Sequence, residues 1–317
     1  MTELLTFGET MLRLSPPRGQ RLADAREFDA VVGGAESNVA TATAQLGRDV
    51  RWASRLPDSP LGRRVVRELR SNGVTPEVVW DDQHRLGTYY LEHGSAPRPV
   101  NVVYDRADSA FTHVTGADLP IETIGTADIV YTSGITPGLS DATADVTETF
   151  LETASDAGAV VSFDLNYRSK LWDHEAARAT FESLFDHVDL LFAPERDVSD
   201  VLGIDGTPEQ QAERLADEYD IETVVVTLGS EGALALQDGE LYRQSAIETE
   251  TFDAIGTGDA FVGGFLAERL AGSGVERALA YGAATAALKR TMGGDAALLT
   301  QAEVAAVVDG AHDEISR

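Results

Sequence analysis

The chain has 317 residues, 53 of them Asp or Glu against 25 Lys or Arg, and carries a formal charge of −28. At 43% hydrophobic it is too apolar for an acidic disordered chain, which lacks the apolar surface to offset backbone entropy. The charge excludes a nucleic-acid or anionic-membrane surface, since both need clustered cations against phosphate, and the absence of cysteine excludes disulfides, thiolate metal sites and a thiol nucleophile.

The opening MTELLTFGETMLRL lacks the basic start, apolar centre and small-residue cleavage site of a leader, and no stretch approaches the ~20 apolar residues of a membrane span. The expected setting is soluble and cytoplasmic. Lys170 and Lys289 are the only lysines, so nearly every cation is arginine. Self-repulsion at this charge density works against a compact state in dilute buffer, whereas molar salt shortens the Debye length to ~3 Å. A saline cytoplasm is the economical explanation, set against a GC-rich codon bias in a merely acidic protein.

In chain order, an apolar run at Leu4–Phe7 reads as a strand. Residues ~10–31 follow with short alternating strands, and Val50–Ala53 is again continuous and apolar. A second alternating region, residues ~75–115, contains Gly87–Glu92 and Val100–Tyr104 without intervening helices. From there strands at Ile129–Thr132, Val160–Asp164, Leu190–Phe192 and Thr223–Thr227 alternate with helical spacing over Asp141–Ala157, Glu175–Phe185 and Pro208–Tyr219. The last third is helical at Thr257–Leu270, Val275–Arg290 and Gln301–Val308. Strand and helix in alternation predict parallel pairing with crossover helices, hence a three-layer α/β/α sandwich formed by the whole chain, residues 1–317. The two alternating regions predict a small β-sheet inserted as a lid.

Two segments could carry chemistry. In Asp253-Ala-Ile-Gly256-Thr257-Gly258-Asp259-Ala-Phe, a glycine turn opens an apolar helix, leaving free N–H groups and the positive dipole end facing outward. A phosphate fits such a site. Asp259 beside it is then either a general base for an attacking hydroxyl or a first-turn Asp that stabilises its helix. The segment is not a P-loop, because GxxxxGK[ST] is absent, and no G-x-G-x-x-G fingerprint links a strand to a helix. In Val31-Val-Gly33-Gly34-Ala35-Glu36-Ser37-Asn38, the glycines would let a small polar ligand lie against backbone while Asn38 offers a donor and an acceptor. Plain turn chemistry is the alternative.

Together these segments resemble the two signatures of the ribokinase/PfkB carbohydrate kinases, and the likeness spans the chain. Within that family the details look most like 2-keto-3-deoxygluconate kinases: Gly8-Glu-Thr-Met-Leu-Arg-Leu14, Gly87-Thr-Tyr-Tyr-Leu-Glu92, Tyr104-Asp-Arg106, Asp164-Leu-Asn166-Tyr-Arg168-Ser-Lys-Leu-Trp172 and Leu288-Lys-Arg-Thr-Met-Gly-Gly-Asp295. The resemblance implies a ribokinase-like fold and ATP-dependent phosphorylation of the terminal C6 hydroxyl of 2-keto-3-deoxy-D-gluconate. It makes Asp259 the base and Gly256, Thr257 and Gly258 the anion hole. Gly34, Asn38, Tyr90, Tyr104, Arg106, Arg168, Asp259 and Asp295 would line the sugar-acid pocket. ATP would meet Asn166, Arg168, Leu228, Gly229, Ser230, Gly232, Ala233 and the Gly256–Gly258 turn, with Mg²⁺ held mainly through phosphates and water. Asp253 resembles a residue near a monovalent-cation loop, which leaves room for such an ion.

At −28, two anionic substrates need local arginines, and Arg106 could grip a carboxylate with two hydrogen bonds; the alternative is a surface pair with Asp105 or Asp108. The family's Asn-x-x-Glu reads here as Pro194-Glu195-Arg-Asp197, so either Glu195 or Asp197 would keep the acidic role. His84, His93, His113, His174, His187 and His312 show no metal-ligand spacing and read as ordinary histidines; Trp52, Trp80 and Trp172 read as packing. Rivals are a fructose or ribose kinase of the same fold and a non-catalytic sugar-acid-binding regulator, with a dehydrogenase set back by the missing fingerprint. Exposed edges of the lid sheet predict a homo-oligomer.

Overall fold

The computed structural model describes residues 2–94 and 97–310. It opens with β1 (Leu4–Phe7), β2 (Met11–Ser15) and β3 (Asp29–Gly33), followed by α1 (Ala35–Gln45), β4 (Val50–Pro57), α2 (Pro60–Ser71) and β5 (Thr75–Asp81). β6 (Thr88–Glu92), β7 (Asn101–Asp105) and the short α3 (Ile121–Ile124) lead into the alternating part: β8 (Ile129–Ser133), α4 (Asp141–Asp156), β9 (Val160–Asp164), α5 (His174–Leu184), β10 (Leu190–Pro194), α6 (Glu195–Asp200), α7 (Pro208–Tyr219) and β11 (Thr223–Thr227). The hairpin β12 (Ala233–Gln237) and β13 (Glu240–Gln244) precedes α8 (Thr257–Leu270), α9 (Val275–Lys289) and α10 (Gln301–Val308). His312 lies outside the described residues.

Seven strands pair in parallel in the order β11-β10-β9-β8-β1-β4-β5, and β12 and β13 extend the β11 edge antiparallel. Successive side chains of a strand feed opposite faces. Leu5 and Phe7 enter a core with Phe150 of α4, Phe181 of α5 and Leu215 of α7, while Leu4 enters one with Val39 of α1, Phe265 of α8 and Leu279 of α9. A strand buried on both sides must be apolar at every position, which is why these runs are continuous in the sequence. The result is the expected ribokinase-like α/β/α sandwich. Among the described residues no helix is long and apolar enough to cross a membrane.

The second sheet has the order β3-β2-β6-β7, with β3 and β7 as its outer strands among the described residues. One boundary differs from expectation. β5 falls in the 75–115 segment assigned to the lid, yet it pairs with β4 from Arg51↔Thr75 to Pro57↔Asp81 and closes the large sheet. As an edge strand it is mostly half-buried and lacks the continuous apolar run of the inner strands, so the sequence does not mark it as part of the large sheet.

Where α1 crosses α8, Gly263 sets the separation: a Cβ there would come within 2.5 Å of Ala42 Cβ and 3.0 Å of Val39 O. Thr43 Oγ1 also donates to Gly263 O at 3.1 Å. Gly263→Val is expected to cost about 1–3 kcal/mol through overpacking, measured by denaturant unfolding in molar KCl, and to lower turnover by parting the two helix starts. An unchanged unfolding midpoint would show that the interface can yield.

Candidate active site

A cavity of about 470 Å³ lies at the C-terminal ends of the parallel strands, beneath the inner face of the small sheet. Open α/β sheets bind ligands at this end. The roof is Met11, Tyr89, Leu91, Val102 and Tyr104. Tyr104 is placed as expected, but Tyr90 is not. Tyr89, not Tyr90, is opposite Tyr104 in the β6–β7 register, and a one-residue step reverses the face. Tyr90 points away and packs edge-on to Phe28 at 6.0 Å.

The Gly33-Gly34 pair serves close approach. A Cβ on Gly33 would lie 2.2 Å from Asp295 Oδ2, and one on Gly34 would lie 2.3 Å from Glu9 O. Asp295 is buried, accepting from the Tyr89 hydroxyl and the Arg13 guanidinium. Burial pushes its carboxyl up, and Arg13 and Tyr89 oppose that. Fully buried Lys289 is depressed by desolvation while Asp253 and Asp295 favour its charge. Asp253 closes the loop by accepting from Ile255 N at 3.1 Å, and Arg13 stands 3.6 Å from its carboxylate.

Gly256 caps α8 at φ 75°, a left-handed conformation that favours glycine, and a Cβ there would come within 1.9 Å of Asp295 O. Gly258 differs, because a Cβ there meets nothing within 4 Å and would project into the open cleft. Thr257 departs from the expected anion hole: its N–H and hydroxyl both turn to Ala254 O, at 3.3 and 2.8 Å. The first turn of a helix supplies no acceptor for its own N–H groups, which leaves those of Gly258 and Asp259 for a ligand.

Asp259 stands half-buried where this turn meets the start of α1, and Asn38 Nδ2 donates to its Oδ2 at 2.7 Å. Asn38 thereby orients the carboxylate, a task the sequence did not assign it. Burial pushes Asp259 up to about 6, opposed by Asn38 and Arg168. Two further carboxylates crowd the floor. Burial raises Asp164 to about 8, helped by the charge of Asp259, and raises Glu36 to about 7 against hydrogen bonds from Ser133 and Thr136. Of the two candidates after β10, Glu195 is exposed, whereas buried Asp197 lines the cleft and accepts from Tyr167 N at 3.1 Å.

Arg168 and Asn166 follow β9 into the cleft as expected, Asn166 at φ 38°. The Arg168 guanidinium donates to Tyr167 O at 3.1 Å, and its field eases the ionisation of Asp164, Asp197 and Asp259. Arg106 also lines the cleft but is committed: Nε donates to Glu9 Oε2 at 2.8 Å, and the Ser109 hydroxyl shares the same carboxylate. The alternative pairs with Asp105 and Asp108 do not form, because Asp105 pairs with Arg85 and Asp108 with His113. The expected free cation is therefore a buried ion pair.

A smaller cavity of about 190 Å³ continues past Thr227, Thr257 and Gly258. Gly229 and Gly232 line it with Ala246, Ala283 and Arg290. Leu228 instead packs on the core, Ala233 is inside it, and Ser230 is exposed outside the lining. The alternation that starts β12 at Ala233 turns that side chain inward.

Glu9, Arg13, Tyr89, Glu36, Asp164 and Lys289 were given no site role by the sequence. Arg13 carried a usable signal, a charge inside the apolar Met11–Leu14 strand. Glu36 and Asp164 carried none, since helix-start and strand-end carboxylates are common on surfaces.

Gly258→Ala is expected to leave thermal stability within about 1 kcal/mol of wild type while raising the KM for ATP severalfold or more. Gly256→Ala should lose about 1–3 kcal/mol through left-handed strain. Wild-type ATP kinetics in Gly258→Ala would place the phosphates elsewhere. Asp164 binds its proton up to about pH 8 when folded, against an ordinary 3.8, so its contribution to stability is full below ~pH 4 and is lost as pH rises towards ~8. Asp164→Asn should accordingly raise the melting temperature of the nucleotide-free protein above that of wild type, with a gap that widens between pH 5 and pH 8; a constant gap contradicts the burial argument.

Residues 1–302 match the family model described as pfkB family carbohydrate kinase. The chain is 55% identical over 315 residues to a Haloferax volcanii protein named 2-dehydro-3-deoxygalactonokinase, with 99% of each chain covered. It is 32% identical over 300 residues to a Thermoproteus tenax protein named 2-dehydro-3-deoxygluconokinase, covering 93% of this chain and 90% of that one. The crystal structure of a Thermotoga maritima 2-dehydro-3-deoxygluconokinase has a TM-score of 0.91 at 34% identity, with 98% of each chain covered. With the cleft at the expected sheet end and the late glycine turn at its floor, the chain belongs to the PfkB family of carbohydrate kinases.

Proposed function

We propose that the chain transfers the γ-phosphoryl group of ATP to the terminal C6 hydroxyl of a 2-keto-3-deoxyhexonate. The observation that carries this reading is Asp259, oriented by Asn38 and set beside the free N–H groups that open α8. The substrate oxygen attacks the γ-phosphorus, the bond to the ADP oxygen breaks, and the hydroxyl proton passes to the Asp259 carboxylate. The backbone N–H groups of Gly258 and Asp259 and the Arg168 guanidinium face the charge developing on the phosphoryl group. The small sheet excludes water, which would otherwise compete as acceptor. Asp295, with Arg13 and Tyr89 behind it, and the Gly33-Gly34 backbone offer polar contacts to the sugar acid. ATP extends into the smaller cavity past Gly229 and Gly232.

Asp164 at the end of β9 and Asp197 in the first turn of α6, both buried oxygen donors, fit the hard cation Mg²⁺. Bound with the nucleotide, Mg²⁺ would neutralise phosphate charge. A monovalent ion at Asp253 would share the carboxylate with Arg13 and Arg18, which stand 3.6 and 4.0 Å from a buried Oδ2 that has no hydrogen-bond partner among the described residues. The outer strands of the small sheet, which pair with no further strand among the described residues, support a homo-oligomer, and the charge of −28 supports a saline cytoplasm.

Two epimers compete as substrate. The sequence-stretch likeness favours 2-keto-3-deoxygluconate, as do the names of the Thermoproteus and Thermotoga relatives at 32% and 34% identity. The name of the Haloferax relative at 55% identity favours the galactonate epimer. A regulator without activity has no use for a positioned base beside a phosphate anchor.

The test is a phosphotransfer panel in molar KCl with both 2-keto-3-deoxy acids, fructose, ribose and gluconate. We expect the 2-keto-3-deoxy acids to be turned over to 6-phosphates, the galactonate with kcat/KM at least equal to that of the gluconate. Faster turnover of fructose or ribose overturns the sugar-acid reading. Asp259→Asn should lower kcat by ~10²–10⁴ with ATP and sugar-acid binding retained, and kcat/KM of wild type should fall about tenfold per pH unit below about 6. Near-normal turnover in Asp259→Asn removes the carboxylate from the mechanism.

A further inference from the structure

Three side chains from the two segments that flank the β6–β7 hairpin converge at the foot of the small sheet. His84 lies just before β6, and Asp108 and His113 lie just after β7; each offers one ligand atom, all within 4.8 Å of one another. The two imidazole rings stack at 3.6 Å with 18° between their planes, and His113 Nε2 is 2.6 Å from Asp108 Oδ1. None of the three lines the catalytic cleft.

His84 has a fixed support behind it. Its Nδ1 lies 3.0 Å from Asp81 Oδ2, and the Asp81 side chain is 1% exposed. Asp81 accepts from Gln83 N and His84 N at 2.7 and 2.8 Å, and from Arg55 Nε and Nη2 at 2.9 and 2.7 Å. An Nδ1–H held on that carboxylate leaves the Nε2 lone pair of His84 directed away from Asp81. Carboxylate backing of this kind fixes the tautomer and raises the basicity of a metal-binding imidazole.

We propose that His84, Asp108 and His113 form a binding site for a divalent transition ion of the zinc class. Two imidazoles and one carboxylate suit Zn²⁺, Ni²⁺ or Cu²⁺ and are a poor set for Mg²⁺ or Ca²⁺, which prefer all-oxygen shells. Bonds of ~2.0–2.2 Å require the ligand atoms to close to roughly 3.5 Å. The side chains of His113 and Asp108 are 40% and 76% exposed, so rotation can supply that movement. Their exposure also gives the ion a route from solvent and leaves a position for water.

The site joins the two chain segments that connect the β6–β7 hairpin to the body. Arg85 and Ser109 already form a β-bridge there, and Ala110 N donates to Arg85 O at 2.8 Å. A bound ion would cross-link the same segments and stiffen the foot of the sheet that roofs the cleft.

The experiment is isothermal titration of the full chain with Zn²⁺ in molar KCl at pH 7.5, without nucleotide. One saturable equivalent with micromolar or tighter affinity is expected. It should be weakened at least about tenfold by His84→Ala and by His113→Ala separately, displaced by Ni²⁺ and retained in excess Mg²⁺. Circular dichroism and turnover with MgATP report whether each variant folds. His113→Gln, at an exposed position, serves if His84→Ala disturbs the Asp81 network. Weak uptake of several equivalents, unchanged by these variants or displaced by Mg²⁺, would mean general carboxylate binding and overturn the site.

Discussion

Everything at the candidate site depends on how closely α1 can approach α8. Gly263 opposite Ala42 permits that approach, and at the N-terminal ends of the same two helices Asn38 meets Asp259. The amide does two things to the carboxylate. It fixes the direction of one oxygen, and it partly offsets a desolvation that still raises the group to about 6. A base near that value is ionised at neutral pH and still takes up a proton, the balance a general base requires. The glycines of the adjoining turn act in the same direction, because each removes a side chain where backbone must come close to Asp295 or to a ligand.

The electrostatics of the cleft differ from those expected of a site built for anions. Asp164, Glu36, Asp197 and Asp259 all line it, and each is pushed upward by burial. Arg106 arrives neutralised by Glu9, and Arg196 pairs with Asp197. On the proposed function, a polyphosphate entering here would be met by backbone N–H groups and Arg168, and the clustered acids would favour a divalent cation accompanying it. Positive charge at the proposed phosphate site would thus come from the helix dipole and an accompanying cation more than from side chains.

Lysine use makes the same economy visible from another side. The chain has only two lysines, and both occupy specific places. Lys289 is fully buried near Asp253 and Asp295, and Lys170 reaches from the body to the carbonyl of Val102 on the small sheet and lies 5.8 Å from the Tyr104 ring. A compact ammonium fits a buried acidic pocket or a single carbonyl, where a planar guanidinium would demand more partners.

Sequence alone determined the architecture, because strands buried on both faces leave continuous apolar runs and helices leave a 3.6-residue period. Those signals are local, and Leu4–Phe7, Val160–Asp164 and Thr223–Thr227 were legible to the residue. The resemblance placed Asp259, Asn38, Asp295 and Arg168 at one cleft, and the structure brings them there. What tertiary structure decided was every question of face and partner. The hairpin register chose Tyr89 over Tyr90, pairing across 97 residues gave Arg106 to Glu9, and burial picked Asp197 over Glu195. His84 and His113 read as ordinary until the fold stacked their rings. Side-chain direction and long-range pairing depend on neighbours distant in the chain, and no local pattern encodes which neighbour arrives.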